Sequence, residues 1–427
     1  MLKSFLHLGK SPGLRSATFT TIGNIFSTGL GAIAFIIIGR FLPPSDFGVF
    51  STVFSLMLLV SKLGDLGSNV ALQRELSQPH LIFGTTKRRI IETSGFYLKI
   101  ALALLVLLIG IILGSPLTTW LNLEAQEYII LGFFSMIGII VYDYFSVLAQ
   151  SYSRFGLSVL GSAIQSAIKI VVILALIFYR ALSPQALIIL YGFAPLCASV
   201  MIAYLLGFIP LKLEFSKVTH SLAKLTPTIR WTALATLSAA LADNVDILLV
   251  QSLLTSQETG LYSAAARIAG FVAVASYSFG VVLNVRVAKY KTQEHLIKYL
   301  QKATLISSLA ILLLIILASF SHHLIFYSTG ASYLAATSTL KLLLYSTGLL
   351  MATTPFVALF FTLNAPAYFG LSGVLMAVSL IAGDYFLIPL LGIEGAGFAK
   401  LISRGLVFIF TLVFAYFSYQ KEYGKKS

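Results

Sequence analysis

The chain has 427 residues, of which 58% are hydrophobic and only 10% are charged, and its mean hydropathy is +0.93. Soluble domains carry about 25% charged residues because they must cover their surface with polar groups, so this composition indicates a membrane protein. The net charge of +14 does not indicate nucleic-acid binding, because the basic residues lie mostly in short loops between apolar runs. The single cysteine, Cys197, excludes an internal disulfide and a cysteine-based metal cluster.

Twelve apolar runs, each long enough for a transmembrane helix, follow one another along the chain. We call them spans 1 to 12, and they cover residues 17–41, 47–73, 94–114, 126–150, 157–179, 185–209, 230–254, 259–287, 303–327, 337–362, 370–391 and 395–417. The first run follows basic residues, as a signal peptide would, but it is too long for a signal-peptide core. No gap exceeds about 20 residues, which leaves no room for a soluble domain. The sequence therefore predicts an all-α integral membrane protein.

The basic residues between the spans are concentrated on one side of the predicted membrane. Twelve spans place both termini on that side, which collects Lys3, Lys10, Arg15, Arg74, Lys87, Arg88, Arg89, Arg154, Lys212, Lys217, Lys224, Arg230, Arg286, Lys289, Lys291, Lys298, Lys302, Lys421, Lys425 and Lys426. The opposite loops contain Arg40 and Arg180. Because Lys and Arg mark cytoplasmic loops, we expect both termini in the cytoplasm and the protein in the cytoplasmic membrane.

Two short landmarks occur twice in the chain. Residues 42–51 read LPPSDFGVFS and residues 254–263 read LTSQETGLYS, which share a leucine, an acid, a glycine, an aliphatic residue, an aromatic residue and a serine in register. The sequence FGLS at 155–158 recurs at 369–372. Both separations are half the chain length, so we predict a duplication into two six-helix lobes, 1–212 and 213–427, in the same orientation. Transporters with such repeats place their substrate site between the lobes.

The residues that flank several spans form a set of turn and packing motifs: Asp46-Phe47-Gly48, Asp65-Leu66-Gly67, Arg74-Glu75-Leu76, Asp246, Gly260-Leu261-Tyr262-Ser263-Ala264-Ala265 with Arg267, Ile388-Pro389 and Gly392-Ile393-Glu394-Gly395-Ala396. This set, which runs along nearly the whole chain, resembles the polysaccharide flippases of the multidrug/oligosaccharidyl-lipid/polysaccharide exporter superfamily. The resemblance implies twelve helices in two lobes around a central cavity. It also implies alternating access that carries an undecaprenyl-diphosphate-linked oligosaccharide from the inner to the outer leaflet, with a polysaccharide polymerase or glycosyltransferases as candidate partners.

Ionisable residues inside the spans are the candidate functional residues. A charge deep in a membrane helix costs about 2.5–3.5 kcal/mol, so it usually faces a cavity or a partner. A diphosphate head group needs cations, so the substrate-binding candidates are Arg267, Lys169, Lys62 and Arg404. The ion-coupling candidates are the acids Asp243, Asp246, Asp65 and Asp143. Asp384 in span 11 is a further deep acid.

Structural interpretations of the same charges stay open. Lys62 and Asp65 are three residues apart and could pair on one helix face, and Asp246 could pair with Arg267 between spans 7 and 8. For Asp143, flanked by two tyrosines, polar packing is as good an interpretation as ion coupling. Lys99 and Lys341 lie nearer to span ends, where their ammonium groups would extend to the membrane surface, and Lys400 would mark the outer interface.

Other motifs do not indicate an enzyme, a metal site or a cofactor. Gly9-Lys10-Ser11 resembles the end of a phosphate-binding loop, but it lacks the required glycine five residues earlier and no strand precedes it. His322 and His323 are adjacent, so in a helix they point about 100° apart and form a poor metal pair. No Ser-His-Asp set or pair of carboxylates lies at a credible active site.

Three alternatives to the flippase prediction remain. A cation-coupled multidrug exporter of the same fold would need acids for cationic drugs, whereas span 1 contains no Asp or Glu and the deep charges include several cations. A lipid II flippase resembles this chain but typically has two more helices. A membrane glycosyltransferase or polymerase would need catalytic acids on a large external loop, and the predicted external loops are very short. The expected contacts are thus a lipid-linked oligosaccharide and membrane lipids, and no nucleic acid.

Overall fold

The structure, a computed structural model, describes residues 12–78, 85–212, 215–223, 226–287, 293–363 and 365–423. Within these ranges the chain is helical and contains no strand. The helices are α1 (Pro12–Phe41), α2 (Pro44–Asp65), α3 (Ser68–Leu76), α4 (Thr86–Trp120), α5 (Gln126–Ser151), α6 (Phe155–Phe178), α7 (Pro184–Leu206), α8 (Phe215–Ala223), α9 (Thr226–Leu253), α10 (Ser256–Val287), α11 (Gln293–Ser319), α12 (Ser321–Ser328), a 3-10 helix (Ala331–Ala336), α13 (Thr337–Thr362), α14 (Pro366–Leu391) and α15 (Ile393–Tyr423).

The described part of the chain has the helices of a multi-pass membrane protein. Nine segments are long and apolar enough to cross a membrane, by length and composition: Pro44–Asp65, Thr86–Trp120, Gln126–Ser151, Phe155–Phe178, Pro184–Leu206, Gln293–Ser319, Ala331–Phe360, Ala367–Leu391 and Ile393–Tyr423. The predicted all-helical membrane class is therefore confirmed. Several basic residues of the topology prediction lie outside the described residues, namely Lys3, Lys10, Lys224, Lys289, Lys291, Lys425 and Lys426.

One predicted span is divided by a sharp turn. Span 2 is predicted over 47–73 as a single helix, but α2 ends at Asp65 and the short helix α3 begins at Ser68. The two residues between them have positive φ angles, 45° at Leu66 and 70° at Gly67. A left-handed pair cannot continue an α-helix, and glycine adopts such a conformation at little cost. A Cβ atom at Gly67 would also lie 2.5 Å from the Thr232 hydroxyl oxygen.

The first of two compact units comprises residues 1–34, 56–119 and 124–237. Its core contains Leu72, Tyr144 and Leu148, all at most 2% exposed, from α3 and α5. The Phe96 ring on α4 packs against the Phe208 ring at the end of α7, with ring centroids 5.5 Å apart. The buried Tyr144 hydroxyl donates to the Glu92 carbonyl oxygen at 2.7 Å, so the polar tip of this ring is satisfied.

The second unit comprises residues 35–55, 120–123 and 238–427. Within it, the two copies of the first landmark pack directly against each other through their glycines. A Cβ atom added at Gly48 would lie 1.8 Å from the Ser256 carbonyl oxygen, and one added at Gly260 would lie 1.8 Å from the Pro44 carbonyl oxygen. Equivalent residues of the two landmarks therefore make equivalent contacts, and only glycine permits backbones to approach so closely.

Side chains beside this glycine contact hold it with hydrogen bonds. The Thr52 hydroxyl donates to the Gln251 amide oxygen at 3.2 Å. The Gln251 amide nitrogen in turn donates to the Leu121 carbonyl oxygen at 3.0 Å and to the Ser256 hydroxyl at 2.9 Å. Gln251 is fully buried, so these bonds satisfy an amide that would otherwise be costly to bury.

Candidate functional site: buried ion pairs and cations

Two interhelical ion pairs lie in the first unit. The Lys62 ammonium is 2.8 Å from an Asp143 carboxylate oxygen, and the Lys99 ammonium is 2.5 Å from an Asp65 carboxylate oxygen. The alternative that Lys62 pairs with Asp65 is therefore wrong. A spacing of three residues predicts neighbours on one helix, but both of these residues find better partners on facing helices. Lys99 is 2% exposed, so the expectation that it extends to the membrane surface is also wrong.

The Asp65 carboxylate holds the turn between α2 and α3. It accepts hydrogen bonds from the Asn69 backbone N–H at 3.0 Å and from the Ser68 hydroxyl at 3.3 Å, in addition to the Lys99 ammonium. The same ammonium donates to the Ser68 hydroxyl at 2.7 Å. These contacts satisfy the start of α3 and neutralise a carboxylate that is 7% exposed. The arrangement gives Asp65 and Lys99 a structural role.

Lys169 differs from the other lysines of the first unit in its surroundings. Its ammonium lies 4.5 Å from the centroid of the Tyr191 ring and 3.4 Å from the Gln165 amide oxygen. Among the described residues no carboxylate pairs with it. A ring face attracts a cation but does not neutralise it, so Lys169 presents a half-buried positive charge that can attract an anion.

The second unit contains a cluster of charges on α9, α14 and α15. The Lys400 ammonium is 2.5 Å from Oδ2 of Asp246, and the Tyr262 hydroxyl donates to the same oxygen at 2.6 Å. The sequence left an Asp246–Arg267 pair open as an alternative, and the structure pairs Asp246 with Lys400. Only 12% of the Lys400 side chain is exposed, so the expectation that it marks an interface is wrong.

The three aspartates on α9 and α14 have different environments. Asp243 is exposed, whereas Asp246, three residues later on α9, is 1% exposed. Asp384 on α14 is 0% exposed, and neither of its carboxylate oxygens has a hydrogen-bond partner among the described residues. Burying a carboxylate without a donor is costly, so Asp384 is an unusual group for which the ion pairs of the unit give no explanation.

The two arginines predicted to bind substrate both lie in the second unit. The Arg267 guanidinium carbon lies 4.6 Å from the centroid of the Phe35 ring and 5.1 Å from that of Phe54. Arg404 is 8% exposed and donates to the Ser346 and Thr347 hydroxyls at 3.1 and 3.3 Å. Arg267 thus lies against two neighbouring aromatic rings, while Arg404 connects α15 to α13 by hydrogen bonds.

The described residues contain no group of three or more His, Cys, Asp or Glu side chains that could hold a metal ion. The His322 and His323 rings are 5.7 Å apart and nearly perpendicular, and His323 also packs near Phe320 and Tyr327. Their geometry is that of an aromatic cluster.

Sequence reasoning misses three members of the charged clusters. It places Lys99 and Lys400 near a membrane surface because each lies toward the end of an apolar run, and it assigns Tyr262 to a turn motif. A usable signal does exist: Asp65 and Asp246 are deep acids, and each needs a cation from another span. Which span supplies that cation depends on helix packing, which the periodicity of one helix does not specify.

The described helices pair charges with one another, and the chain shares its fold with several solved structures. It aligns with "Lipid II flippase MurJ, inward closed conformation" at a TM-score of 0.74 and 13% identity, covering 93% of this chain and 87% of that one. It also aligns with the inward-facing conformation of a multidrug resistance MATE family transporter of the MOP superfamily (TM-score 0.64, 15% identity, 94% and 96% covered). The MATE multidrug transporter DinF-BH gives a TM-score of 0.63 and 17% identity over 96% of both chains.

The family model described as "Polysaccharide biosynthesis protein" matches residues 14–283, which is more than half of the chain. The chain therefore belongs to the polysaccharide biosynthesis protein family. A search of curated proteins finds no match. Together with the fold, the family match confirms the predicted resemblance to polysaccharide flippases of the exporter superfamily.

Proposed function

We propose that this chain is a flippase that moves an undecaprenyl-diphosphate-linked oligosaccharide across the cytoplasmic membrane by alternating access. The family match connects the chain to polysaccharide biosynthesis, and the fold is that of flippases and exporters. The observation that carries the proposal is Lys169, a half-buried cation in an apolar helix that no described carboxylate neutralises. Such a charge is expensive in a membrane unless an anion uses it.

The chemistry of a diphosphate fits two of the candidate cations, each of which lies against an aromatic ring. Lys169 offers a compact positive charge over Tyr191, and Arg267 offers a planar guanidinium over Phe35 and Phe54. We rank these two first as phosphate-binding residues. Lys62 ranks behind them because it already neutralises Asp143, and Arg404 because it already bonds to two hydroxyls.

The topology that belongs to this function has twelve spans, two six-helix lobes at 1–212 and 213–427, and both termini in the cytoplasm. Each of the twelve apolar runs overlaps a long helix of the described chain. The excess of basic residues on the side of both termini supports the orientation. A polysaccharide polymerase or glycosyltransferases remain the proposed partners.

The acidic residues inside the spans are the candidates for coupling transport to an ion gradient. Asp65 and Asp143 each bind a lysine in the first unit, which favours a structural role for both. We therefore assign coupling to the acids of the second unit, Asp243 and Asp246. Asp243 is exposed, and Asp246 forms an ion pair with Lys400 that a coupling ion or proton would have to rearrange.

Two other substrates are tested by the same preparation. A lipid II substrate is favoured by the TM-score of 0.74 to the lipid II flippase MurJ. A cationic drug is suggested by the MATE neighbours. Lys169 argues against the drug, because an unneutralised cation repels a cationic ligand.

The experiment measures flipping of labelled undecaprenyl-diphosphate oligosaccharide by purified protein in liposomes. Removing one charged hydrogen bond to phosphate weakens binding by about 1.5–3 kcal/mol, so Lys169→Met should reduce flipping at subsaturating substrate by about 10- to 150-fold. Lys169→Arg should retain more activity. The control is Lys298→Met on α11, whose lysine is exposed and pairs with Glu294 one turn away, and it should flip at the wild-type rate.

Folded Lys169→Met protein that flips at the wild-type rate would contradict the proposed role of this residue. Transport of lipid II, but not of the oligosaccharide lipid, by the wild-type protein would replace the proposed substrate. Uptake of a cationic dye with neither lipid moved would make the chain a drug exporter.

A further inference from the structure

Asp384 on α14 is a buried acid that takes part in none of the ion pairs described above. Both of its carboxylate oxygens are buried without a hydrogen-bond donor among the described residues, and the residue is 0% exposed. An ionised carboxylate in such a place has neither solvent contact nor a described donor, and its burial would be very unfavourable. The geometry therefore calls for a neutral group at this position.

The helices that carry Asp384 and Lys400 approach each other closely at the level of these two residues. A Cβ atom added at Gly383 would lie 2.9 Å from the Ala399 Cβ atom and 3.2 Å from its Cα atom. Val245, Leu380 and Ala399 form one buried cluster, and they lie beside Asp246, Asp384 and Lys400 along their helices. Three helices thus bring two carboxyl groups and one ammonium group to a common level.

The described cations near these residues are too few to neutralise both Asp246 and Asp384. Asp246 and Lys400 are the charged groups whose fields act on Asp384. Tyr262 on α10 donates to Asp246, and Arg404 bonds to Ser346 and Thr347 on α13 while it and Lys400 act on Asp243. Among the described residues, Lys400 is therefore the cation that Asp246 and Asp384 must share, and it is bound to Asp246.

We propose that Asp384 is a proton-binding site, protonated while Lys400 is bound to Asp246, and that loss of this proton draws the Lys400 ammonium toward Asp384. In this step the O–H bond of the Asp384 carboxylic acid breaks, the proton leaves to solvent, and Lys400 stays charged. The Lys400 ammonium thus pairs with Asp246 while Asp384 is protonated and moves toward Asp384 when Asp384 is ionised. The use of the step to drive transport rests on the function proposed above, whereas the proton site itself does not.

The Lys400 ammonium can move away from Asp246 because other hydrogen-bond donors stabilise the Asp246 carboxylate. Its Oδ2 accepts from the Tyr262 hydroxyl at 2.6 Å, and its Oδ1 accepts from the Ile247 backbone N–H at 2.9 Å. These two bonds remain when the ammonium moves, since neither depends on Lys400. Because two donors other than Lys400 stabilise the Asp246 carboxylate, we assign the proton to Asp384.

The test is infrared spectroscopy of the purified wild-type protein and its variants at neutral pH, read at the C=O stretching band of protonated carboxylic acids. Asp384→Asn should remove one protonated carboxyl per chain from this band. Glu294→Gln should leave the band unchanged, because Glu294 on α11 is exposed and pairs with Lys298. Lys400→Met should keep the Asp384 band to a higher pH than the wild type does, because no ammonium group is then available to stabilise the ionised Asp384.

Each outcome bears on the proposal, with size-exclusion profiles as the check on folding. An Asp384→Asn band equal to that of the wild type would overturn it, and so would a Lys400→Met band that is lost at the same pH as the wild-type band. If Asp384→Asn does not fold, the Lys400→Met measurement and the pH titration of the wild-type band decide the question. A wild-type band that is lost at the pH where exposed carboxyl groups ionise would contradict a buried proton site. A wild-type protein with the Asp384 band but no flipping would refute the proposed function and leave the proton site standing.

Discussion

Replacement of Gly260 by alanine tests the close packing of the two repeated landmarks. The added Cβ atom would lie 1.8 Å from the Pro44 carbonyl oxygen and 3.1 Å from the Gly48 backbone nitrogen, so the two helices must move apart to admit it. Overpacking of this kind typically costs about 1–3 kcal/mol. We expect Gly260→Ala to lower the free energy of unfolding, and Gly48→Ala to do the same, because its Cβ atom would meet the Ser256 carbonyl oxygen at 1.8 Å.

The matched control is Gly270→Ala in the same helix, α10, where a Cβ atom would find nothing within 4 Å. Alanine is favoured over glycine in a helix by about 1 kcal/mol, so this variant should be as stable as the wild type or more so. Both variants gain this preference, so the difference between them should be the overpacking cost of about 1–3 kcal/mol, measured by thermal or denaturant unfolding in one detergent. A Gly260→Ala protein that unfolds at or above the temperature of Gly270→Ala would refute the argument.

Two further predictions concern the first unit and the orientation. Lys99→Met should destabilise the protein by about 3–5 kcal/mol in unfolding assays, because it leaves Asp65 buried and unpaired, and adding Asp65→Leu should restore most of that loss. No recovery in the double variant would mean that the turn, rather than the charge, dominates. Cysteines placed at Lys87 or Lys298 in a Cys197→Ser background should resist a membrane-impermeant thiol reagent in intact cells, and labelling at both positions would reverse the proposed orientation.

Composition and hydropathy are enough to predict the helical membrane class, because a membrane helix needs a long apolar run whatever its neighbours are. The charge pairs are not predictable in the same way. Sequence spacing matches Asp65 with Lys62, its neighbour on one helix, whereas the structure matches it with Lys99 on α4. A pairing between helices depends on their rotation and depth, and both follow from packing of many side chains. The Leu66–Gly67 turn is likewise hidden inside an apolar run.

The same limit explains why a repeated sequence does not predict a repeated site. The landmarks at 42–51 and 254–263 are turn motifs, and their glycines make equivalent contacts. Arg267, in contrast, lies 212 positions after Ser55, so the two halves carry different groups at equivalent places. Under the proposed duplication, residues that packing requires recur in both halves, whereas the ionisable residues differ. Candidate site residues must therefore be argued individually from their contacts.

The contacts of Arg267 allow a packing role and a phosphate-binding role to be distinguished by experiment. Its guanidinium lies over Phe35 and Phe54, and a desolvated cation–π contact is worth about 2 kcal/mol. If the arginine serves packing alone, Arg267→Lys and Phe54→Leu should both lower stability, while folded protein of either kind flips lipid normally. If it binds phosphate, as proposed, Arg267→Lys should slow flipping at nearly unchanged stability, because lysine keeps the charge but loses the bidentate fork. Flipping by Arg267→Lys at the wild-type rate, with its unfolding temperature reduced as much as that of Phe54→Leu, would remove Arg267 from the substrate site.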